Sequence, residues 1–251
     1  MADELLERLA AVTRPFNRAL VIGCADGALP ARLRATGIDC TATDAGFRFA
    51  AGARGVQSDE DRLPFADASF DLVLSAGVLD SVNDLPGALT LIRRILKPDS
   101  LFLGAFVGAG SLPRLRSAMA AADGDRAAPR IHPQIDVRSA GDLLMRAGLT
   151  LPVADGERLV VRYGSMLGLA ADLRGMAAGN ILKDRGPPLS REQLGIAMGT
   201  FQNAADADGK VSEIFEIVYL SGWAPSPDQP KPARRGSGTV SLADALKRKE
   251  R

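Results

Sequence analysis

Five residues that link a short apolar run to a helical stretch are the first candidates for chemistry in this chain. They are Gly23, Cys24, Ala25, Asp26 and Gly27. Glycine at such a turn lets the backbone approach a ligand closely, and the N–H groups that begin the next helix face the same point. The spacing therefore predicts a loop that contacts a ligand. The simpler alternative is an ordinary strand–turn–helix unit capped by Asp26.

A carboxylate extends this prediction. Asp44 ends the next predicted strand, roughly 20 residues after the loop, where an acidic side chain can accept both hydroxyls of a ribose. The dinucleotide fingerprint G-x-G-x-x-G is matched poorly, since Ala25 and Ala28 replace its second and third glycines. A loop that ends on Gly27 fits better with binding of an amino-acid tail than of a pyrophosphate. Together these residues predict a site for a nucleoside-containing cofactor.

The following segment narrows the choice of cofactor. Residues 59–65 read DEDRLPF, and FDLV follows at residues 70–73. The order D-x-x-x-LPF, short gap, FDLV resembles the class I S-adenosylmethionine-dependent methyltransferases. By this resemblance the loop glycines border the methionine part of S-adenosylmethionine, Asp44 binds its ribose, and Asp59 with the Glu60 backbone binds its adenine. The cofactor-binding residues that the resemblance implies are Gly23, Cys24, Ala25, Gly27, Asp44, Asp59, Glu60 and Ser75.

A closer resemblance runs along most of the chain. It rests on VNDLPGAL and ILKPDS in the first half, on IHPQIDVRSAGDLLMRAG and VRYGSMLGLAADLRGMAAGN in the second, and on EIFEIVYLSGWAP with the tail KPARRGSGTVSLADAL. These segments are similar to the bacterial relatives of a mitochondrial complex I assembly factor with a methyltransferase fold, a family whose mitochondrial member hydroxylates an arginine. A methyltransferase that acts on malonyl carrier protein is a more distant relative.

Two residues are the catalytic candidates. Asp80 stands just past the fourth strand, where the family has histidine, and it could pair with a cationic substrate such as a guanidinium group. The alternatives for Asp80 are that it caps the following helix together with Ser81, or that the site has decayed. Tyr163 is expected at a strand end before a helical insert, on the substrate side, or else as a half-buried packing residue.

Other positions limit the chemistry. Val21 replaces an acidic residue of the family pattern, and Ala25 replaces its middle glycine. His132 is the single histidine, so a two-histidine metal site cannot form within the chain, and no metal site is predicted. His132 is expected to be a loop residue bonded to backbone, with catalysis as the alternative.

The order of apolar runs predicts the fold. Strands are expected near residues 18–23, 38–44, 55–58, 70–76 and 101–107, with helices between them. Continuous apolar strands that alternate with helices indicate a mostly parallel sheet covered on both faces. With strands at 150–163 and 213–223, this gives a doubly wound, Rossmann-like α/β sheet of seven strands, with a helical insert at residues 164–208 before the last strand. The methyltransferase-like domain is expected to span residues 1–223.

Composition completes the expectations. The 251 residues carry a net charge of +1, so no overall field favours nucleic acid. The family resemblance implies a protein substrate as partner, such as a complex I subunit. No apolar run is long enough for a transmembrane segment. Two cysteines and no secretory signal favour a reducing, cytoplasmic compartment. Residues 224–251 predict an exposed basic tail rich in proline and glycine.

Three functions remain open at this point. The first is methyl transfer from S-adenosylmethionine, in which the cofactor supplies the electrophile and one histidine is enough. The second is arginine hydroxylation on the same fold. The third is a non-catalytic assembly factor that keeps the fold as a binding platform.

Overall fold

A computed structural model describes residues 1–24, 26–126, 128–229 and 241. Ala25 of the predicted cofactor loop therefore lies outside the described residues, and so does most of the predicted tail at residues 224–251.

The described residues form eight helices and seven strands, which mostly alternate through the first half. In chain order they are α1 (Ala2–Ala10), β1 (Arg18–Ile22), α2 (Ala28–Ala35), β2 (Asp39–Asp44), α3 (Phe47–Gly52), β3 (Val56–Gln57), β4 (Phe70–Ala76), α4 (Leu85–Ile95), β5 (Leu96–Val107), α5 (Pro113–Asp123), α6 (Val137–Arg146), β6 (Thr150–Tyr163), α7 (Met166–Gly175), α8 (Arg191–Gln202) and β7 (Val211–Trp223).

The strands form one sheet in the order β3-β2-β1-β4-β5-β7-β6. The pairs from β3 to β5 are parallel, whereas β7 is antiparallel to both of its neighbours, β5 and β6. Strands β2 and β3 are added on one side of β1, whereas β4 and the later strands are added on its other side. The carboxyl ends of β1 and β4 therefore lie at the topological switch point, where open α/β sheets bind ligands. The expected doubly wound, mostly parallel sheet of seven strands is confirmed.

Helices cover both faces of this sheet. Within β1, Val21 packs into a cluster with residues of α1, α2, α5, α7 and α8, while its neighbour Ile22 packs into a cluster with residues of α4 and α6. Successive side chains of a strand point to opposite faces, so a central strand covered on both sides must be apolar throughout. This explains why Ala19, Leu20, Val21 and Ile22 are all fully buried.

The strand expected at residues 150–163 is present as β6, with an irregular register near its start. One feature differs from the sequence expectations. Helix α5 has no counterpart among the expected elements. It begins with Pro113 in its first turn and packs against α8.

The segment between β6 and β7 lies beyond the end of β5. Val107, the last residue of β5, pairs with Ile217, whereas β6 and β7 stay paired as far as Tyr163 and Val211. Helices α7 and α8 are joined to this extension, with Ser165 and Ser190 capping their amino ends. The part of the chain that the structure describes has no helix that is both long and apolar enough to cross a bilayer.

Candidate cofactor and substrate site

The loop after β1 contains two glycines in the left-handed region. Gly23 has φ +81° and Gly27, which begins α2, has φ +68°. A Cβ at Gly23 would lie 2.5 Å from Cγ1 of Val78, a residue of the loop after β4. Both the backbone angle and the close approach therefore require glycine at position 23.

Asp44 ties this loop to the end of β2. Its Oδ2 accepts a hydrogen bond from the backbone N–H of Cys24 at 3.0 Å, and its Oδ1 accepts one from the N–H of Gly46 at 2.8 Å. Each carboxylate oxygen keeps a further lone pair for a hydroxyl donor. A half-buried carboxylate fixed in this way beside two glycines has the chemistry needed to hold the hydroxyls of a ribose.

The other residues of the loop have structural partners. Asp26 accepts a hydrogen bond from the N–H of Ala28 at 3.0 Å, but the N-cap of α2 is Gly27 and the helix has no side-chain cap, so the cap considered for Asp26 is not formed. Cys24 is buried, and burial, followed by the charge of Asp44, raises the pKa of its thiol to about 11. The thiol stays protonated near neutral pH and is not set up as a nucleophile.

Asp59 and Glu60 follow β3 in a turn. The carbonyl of Asp59 accepts the N–H of Arg62 at 3.1 Å, and the Asp59 side chain faces solvent. Glu60 is partly buried, and this burial, together with the negative charge of Asp44, raises the pKa of its carboxyl group. The same electrostatic coupling indicates that the turn lies beside Asp44.

Ser75 lies in β4 between its pairing partners Ile22 and Gly104. It is fully buried, and its Oγ has no hydrogen-bond partner. A buried hydroxyl without a partner is costly in a packed core. It is a polar group at the carboxyl end of the sheet that a ligand could satisfy.

Asp80 lies in the turn that follows. Oδ1 of Asp80 is buried without a hydrogen-bond partner. Burial raises the pKa of this carboxyl group, and the charge of nearby His132 partly offsets the shift. Helix α4 is capped instead by Asp84, whose Oδ1 accepts the N–H of Gly87 at 2.9 Å. The alternative that Asp80 serves as that cap is therefore wrong.

Asp80 and His132 border the same small cavity of about 40 Å³. Its wall also includes Leu173 of α7 and Gly179 beyond it, so the insert reaches the loop after β4. Sequence reasoning gave His132 mainly a structural role. No local signal could have joined it to Asp80, because the two residues lie far apart in the chain and meet only through the fold.

Tyr163 lies in a neighbouring groove, not beside Asp80. This groove has a volume of about 650 Å³, and it shares Val107 and Phe215 with the Asp80 cavity. Burial, followed by a hydrogen bond with Asp172, raises the pKa of the Tyr163 phenol to about 12. The two catalytic candidates thus border adjoining cavities.

The described residues bring together no group of three or more histidine, cysteine or acidic side chains that could hold a metal ion. The polar groups that they do assemble are the backbone of the glycine loop, the Asp44 carboxylate, the Glu60 turn and the buried Ser75 hydroxyl. This set fits a ligand with an amino-acid tail and a ribose better than it fits a phosphate, because no basic side chain belongs to it.

Comparison with known proteins gives matches over most of the chain. The family described as "Methyltransferase domain" matches residues 20–104. The mitochondrial arginine-hydroxylase NDUFAF5 of Danio rerio is 36% identical, and the match covers 98% of this chain and 81% of that protein. A malonyl-[acyl-carrier protein] O-methyltransferase of Laribacter hongkongensis is 33% identical over 71% of this chain and 59% of its own length.

Solved structures share the fold at low sequence identity. YcgJ of Bacillus subtilis aligns with a TM-score of 0.63 at 15% identity, covering 90% of this chain and all of that one. Phosphoethanolamine N-methyltransferase 2 of Haemonchus contortus, solved in complex with S-adenosyl-L-methionine, aligns with a TM-score of 0.54 at 16% identity, covering 90% of this chain and 52% of that one.

Proposed function

This chain belongs to the family of the arginine-hydroxylase NDUFAF5, within the class I S-adenosylmethionine-dependent methyltransferase superfamily, and on that basis we propose that it is a methyltransferase-type enzyme. S-adenosylmethionine is its cofactor, and its substrate is a protein, in the assembly of respiratory complex I. The observation that carries the proposal is the Asp44 carboxylate, which the N–H groups of Cys24 and Gly46 hold beside the glycine loop.

Each part of the cofactor would have a group to hold it. Backbone atoms at Gly23 and Gly27 would border the methionine tail, Asp44 would accept hydrogen bonds from the ribose hydroxyls, and the turn of Asp59 and Glu60 would lie beside the adenine. When bound, the cofactor supplies a sulfonium-activated methyl group as electrophile. The protein then has to align the acceptor and exclude water. A guanidinium acceptor would also lose a proton on methylation, which the Asp80 carboxylate could take.

Asp80 is the residue that we place on the substrate side. A carboxylate that is buried without a partner favours a cationic group, since pairing restores its charged form. A guanidinium group meets this need with two parallel N–H donors. The present cavity has room for only a few water molecules, so substrate entry requires the segment around Leu173 to shift.

Asp44→Ala is expected to weaken S-adenosylmethionine binding by about 1–3 kcal/mol, or roughly five- to 150-fold, because charge-assisted hydrogen bonds to the ribose are lost. Isothermal calorimetry measures the change. Asp39→Ala is the matched control, since Asp39 begins the same strand and is largely exposed. If the unmodified protein shows neither heat nor a thermal shift at millimolar cofactor, the enzymatic proposals fail and the binding-platform alternative is favoured.

Asp80→Asn is expected to reduce capture of an arginine-containing substrate by about 10- to 100-fold, because shape is kept while the negative charge is removed. Cofactor affinity should not change. Peptide binding and cofactor calorimetry are compared on one preparation, with Asp67→Asn as the exposed control. Equal capture by the folded variant would show that Asp80 is not the counter-ion of the substrate.

Hydroxylation is the second candidate, and the match to an arginine-hydroxylase favours it. Mass spectrometry of a modified partner separates an added methyl group from an added oxygen atom.

We propose the cytoplasm as the compartment, because both cysteines are buried and free.

A further inference from the structure

Two loops meet over the cavity that contains Asp80. Residues 128–136 precede α6, and residues 177–189 join α7 to α8. A more open cavity of about 220 Å³ lies beside the Asp80 cavity and shares with it a wall formed by Leu112, Ile131, His132, Leu173, Ala178 and Gly179. We propose that residues 177–189 form a lid, latched by Arg130 and Asn180, whose opening joins the two cavities into one substrate pocket.

The lid is held by few bonds between two fixed ends. Residues 179–189 take part in no backbone–backbone hydrogen bond among the residues that the structure describes, and most of their side chains are exposed. At one end, the N–H of Ala178 bonds to the carbonyl of Leu173 in α7 at 2.9 Å. At the other end, Ser190 and Gln193 form a capping box that begins α8. Such a segment can open while the helices on either side stay folded.

Two side chains connect the lid to the opposing loop. Nη1 of Arg130 donates a hydrogen bond to the carbonyl of Pro187, and Nδ2 of Asn180 donates one to the carbonyl of Pro129. The same Arg130 guanidinium donates to Asp123 at the end of α5, with Nη2 at 2.6 Å from Oδ1. These two side chains are only 12% and 4% exposed. Arg130 is therefore fixed to α5 by a buried ion pair, and the lid closes onto it.

The two loops also fit together by shape. Gly186 of the lid has φ +77°, and a Cβ at this position would lie 2.9 Å from Cβ of Ala128 in the opposing loop. The backbone of the lid therefore lies directly against that loop, at a point where a larger side chain would hold the two apart. This contact and the two hydrogen bonds lie along one seam.

Opening of this seam would change the size of the site. The closed cavity at Asp80 measures about 40 Å³, which is too small for a substrate side chain. Movement of Ala178 and Gly179 out of the shared wall would connect it to the neighbouring 220 Å³. The inference rests on the proposed function only in taking the Asp80 cavity as the substrate site. Its tests use neither cofactor nor substrate, so a failure of S-adenosylmethionine binding contradicts the proposed function and not the lid.

A thiol placed in the closed cavity measures lid opening. Ser81→Cys provides it, because Ser81 lines the Asp80 cavity but not the neighbouring one, and both natural cysteines are buried. In this background, we expect Arg130→Lys combined with Asn180→Ala to speed labelling of the thiol by an aromatic disulfide reagent about tenfold. A lysine can still pair with Asp123, but it lacks the planar fork that also reaches the lid.

Two further variants complete this test. Asn180→Ala alone leaves the pair of Asp123 and Arg130 intact and should speed labelling by roughly threefold. Asn203→Ala, an exposed change at the end of α8, should leave the rate unchanged. Urea denaturation shows that each variant is folded. Labelling of both latch variants at the rate of the Asn203→Ala control would overturn the proposal.

A reversible cross-link gives the second test. Ala128→Cys combined with Gly186→Cys places two Cβ atoms 2.9 Å apart, and a shift of about 1 Å brings them to disulfide geometry. Trypsin should cleave after Lys183 and Arg185 at least about tenfold more slowly in the oxidised form than in the reduced form, because cleavage requires the lid to open. Cleavage after Arg62, in the turn after β3, should be equal in both forms. Equal cleavage of the lid in the two forms, or failure of the bridge to form in the folded protein, would overturn the proposal.

Discussion

Replacement of Glu213 by alanine is expected to lower the free energy of unfolding by about 3–5 kcal/mol, because buried N–H groups lose their acceptor at roughly 1–3 kcal/mol each. The Glu213 side chain is fully buried in β7, and it accepts hydrogen bonds from the N–H of Leu115 at 2.8 Å and of Arg114 at 3.2 Å. It also accepts the N–H of Ile214 at 3.0 Å. Helix α5 has no side-chain cap of its own, so this carboxylate from β7 replaces one.

Urea denaturation with an unchanged slope measures this loss, and the melting temperature should fall by roughly 6–20 °C. Glu216→Ala is the matched control on the same strand. Glu216 pairs with Arg158 near the surface and should contribute less than about 1 kcal/mol. Equal destabilisation by the two variants would show that α5 does not depend on Glu213.

Much of the fold could be predicted because its signals are local. The strands β1 and β4 are mostly apolar runs, and Asp84 followed by Pro86 indicates where α4 begins. Helix α5 was not predicted, because its sequence, PRLRSAMAAAD, mixes arginines and alanines without a clear apolar stripe. Its stability comes from packing on α8 and from Glu213, a residue that follows it by about a hundred positions along the chain. Contacts of this kind leave no pattern in a short window of sequence.

The candidate site also contains some features that local sequence predicts and others that only the fold creates. The glycine loop and Asp44 could be predicted because each lies at the end of a strand and parallel strands end at the same edge of the sheet. The contact of Gly23 with Val78, the shared cavity of Asp80 and His132, and the groove of Tyr163 depend on how distant segments meet. The residue types were visible in the sequence, but their grouping was not.

Replacement of Gly23 by alanine is expected to lower the free energy of unfolding by about 2–5 kcal/mol and to remove measurable S-adenosylmethionine binding. The left-handed φ of +81° costs a residue with a Cβ about 1–2 kcal/mol, and overpacking adds about 1–3 kcal/mol. The new methyl group would lie 2.5 Å from Val78, so the loop after β1 or the loop after β4 has to move. Chemical denaturation and calorimetry measure the two effects.

Two further variants separate the effect of backbone strain from the effect of the clash with Val78. Gly37→Ala is the control for backbone strain, because Gly37 has φ +89° but nothing within 4 Å of an added Cβ. It should cost about 1–2 kcal/mol without changing cofactor affinity. Gly23→Ala combined with Val78→Ala removes the clash and keeps the strained φ, so it should regain part of the lost stability. If Gly23→Ala behaves like Gly37→Ala in both stability and binding, the loop after β4 does not press on the glycine loop, and Gly23 does not border the cofactor.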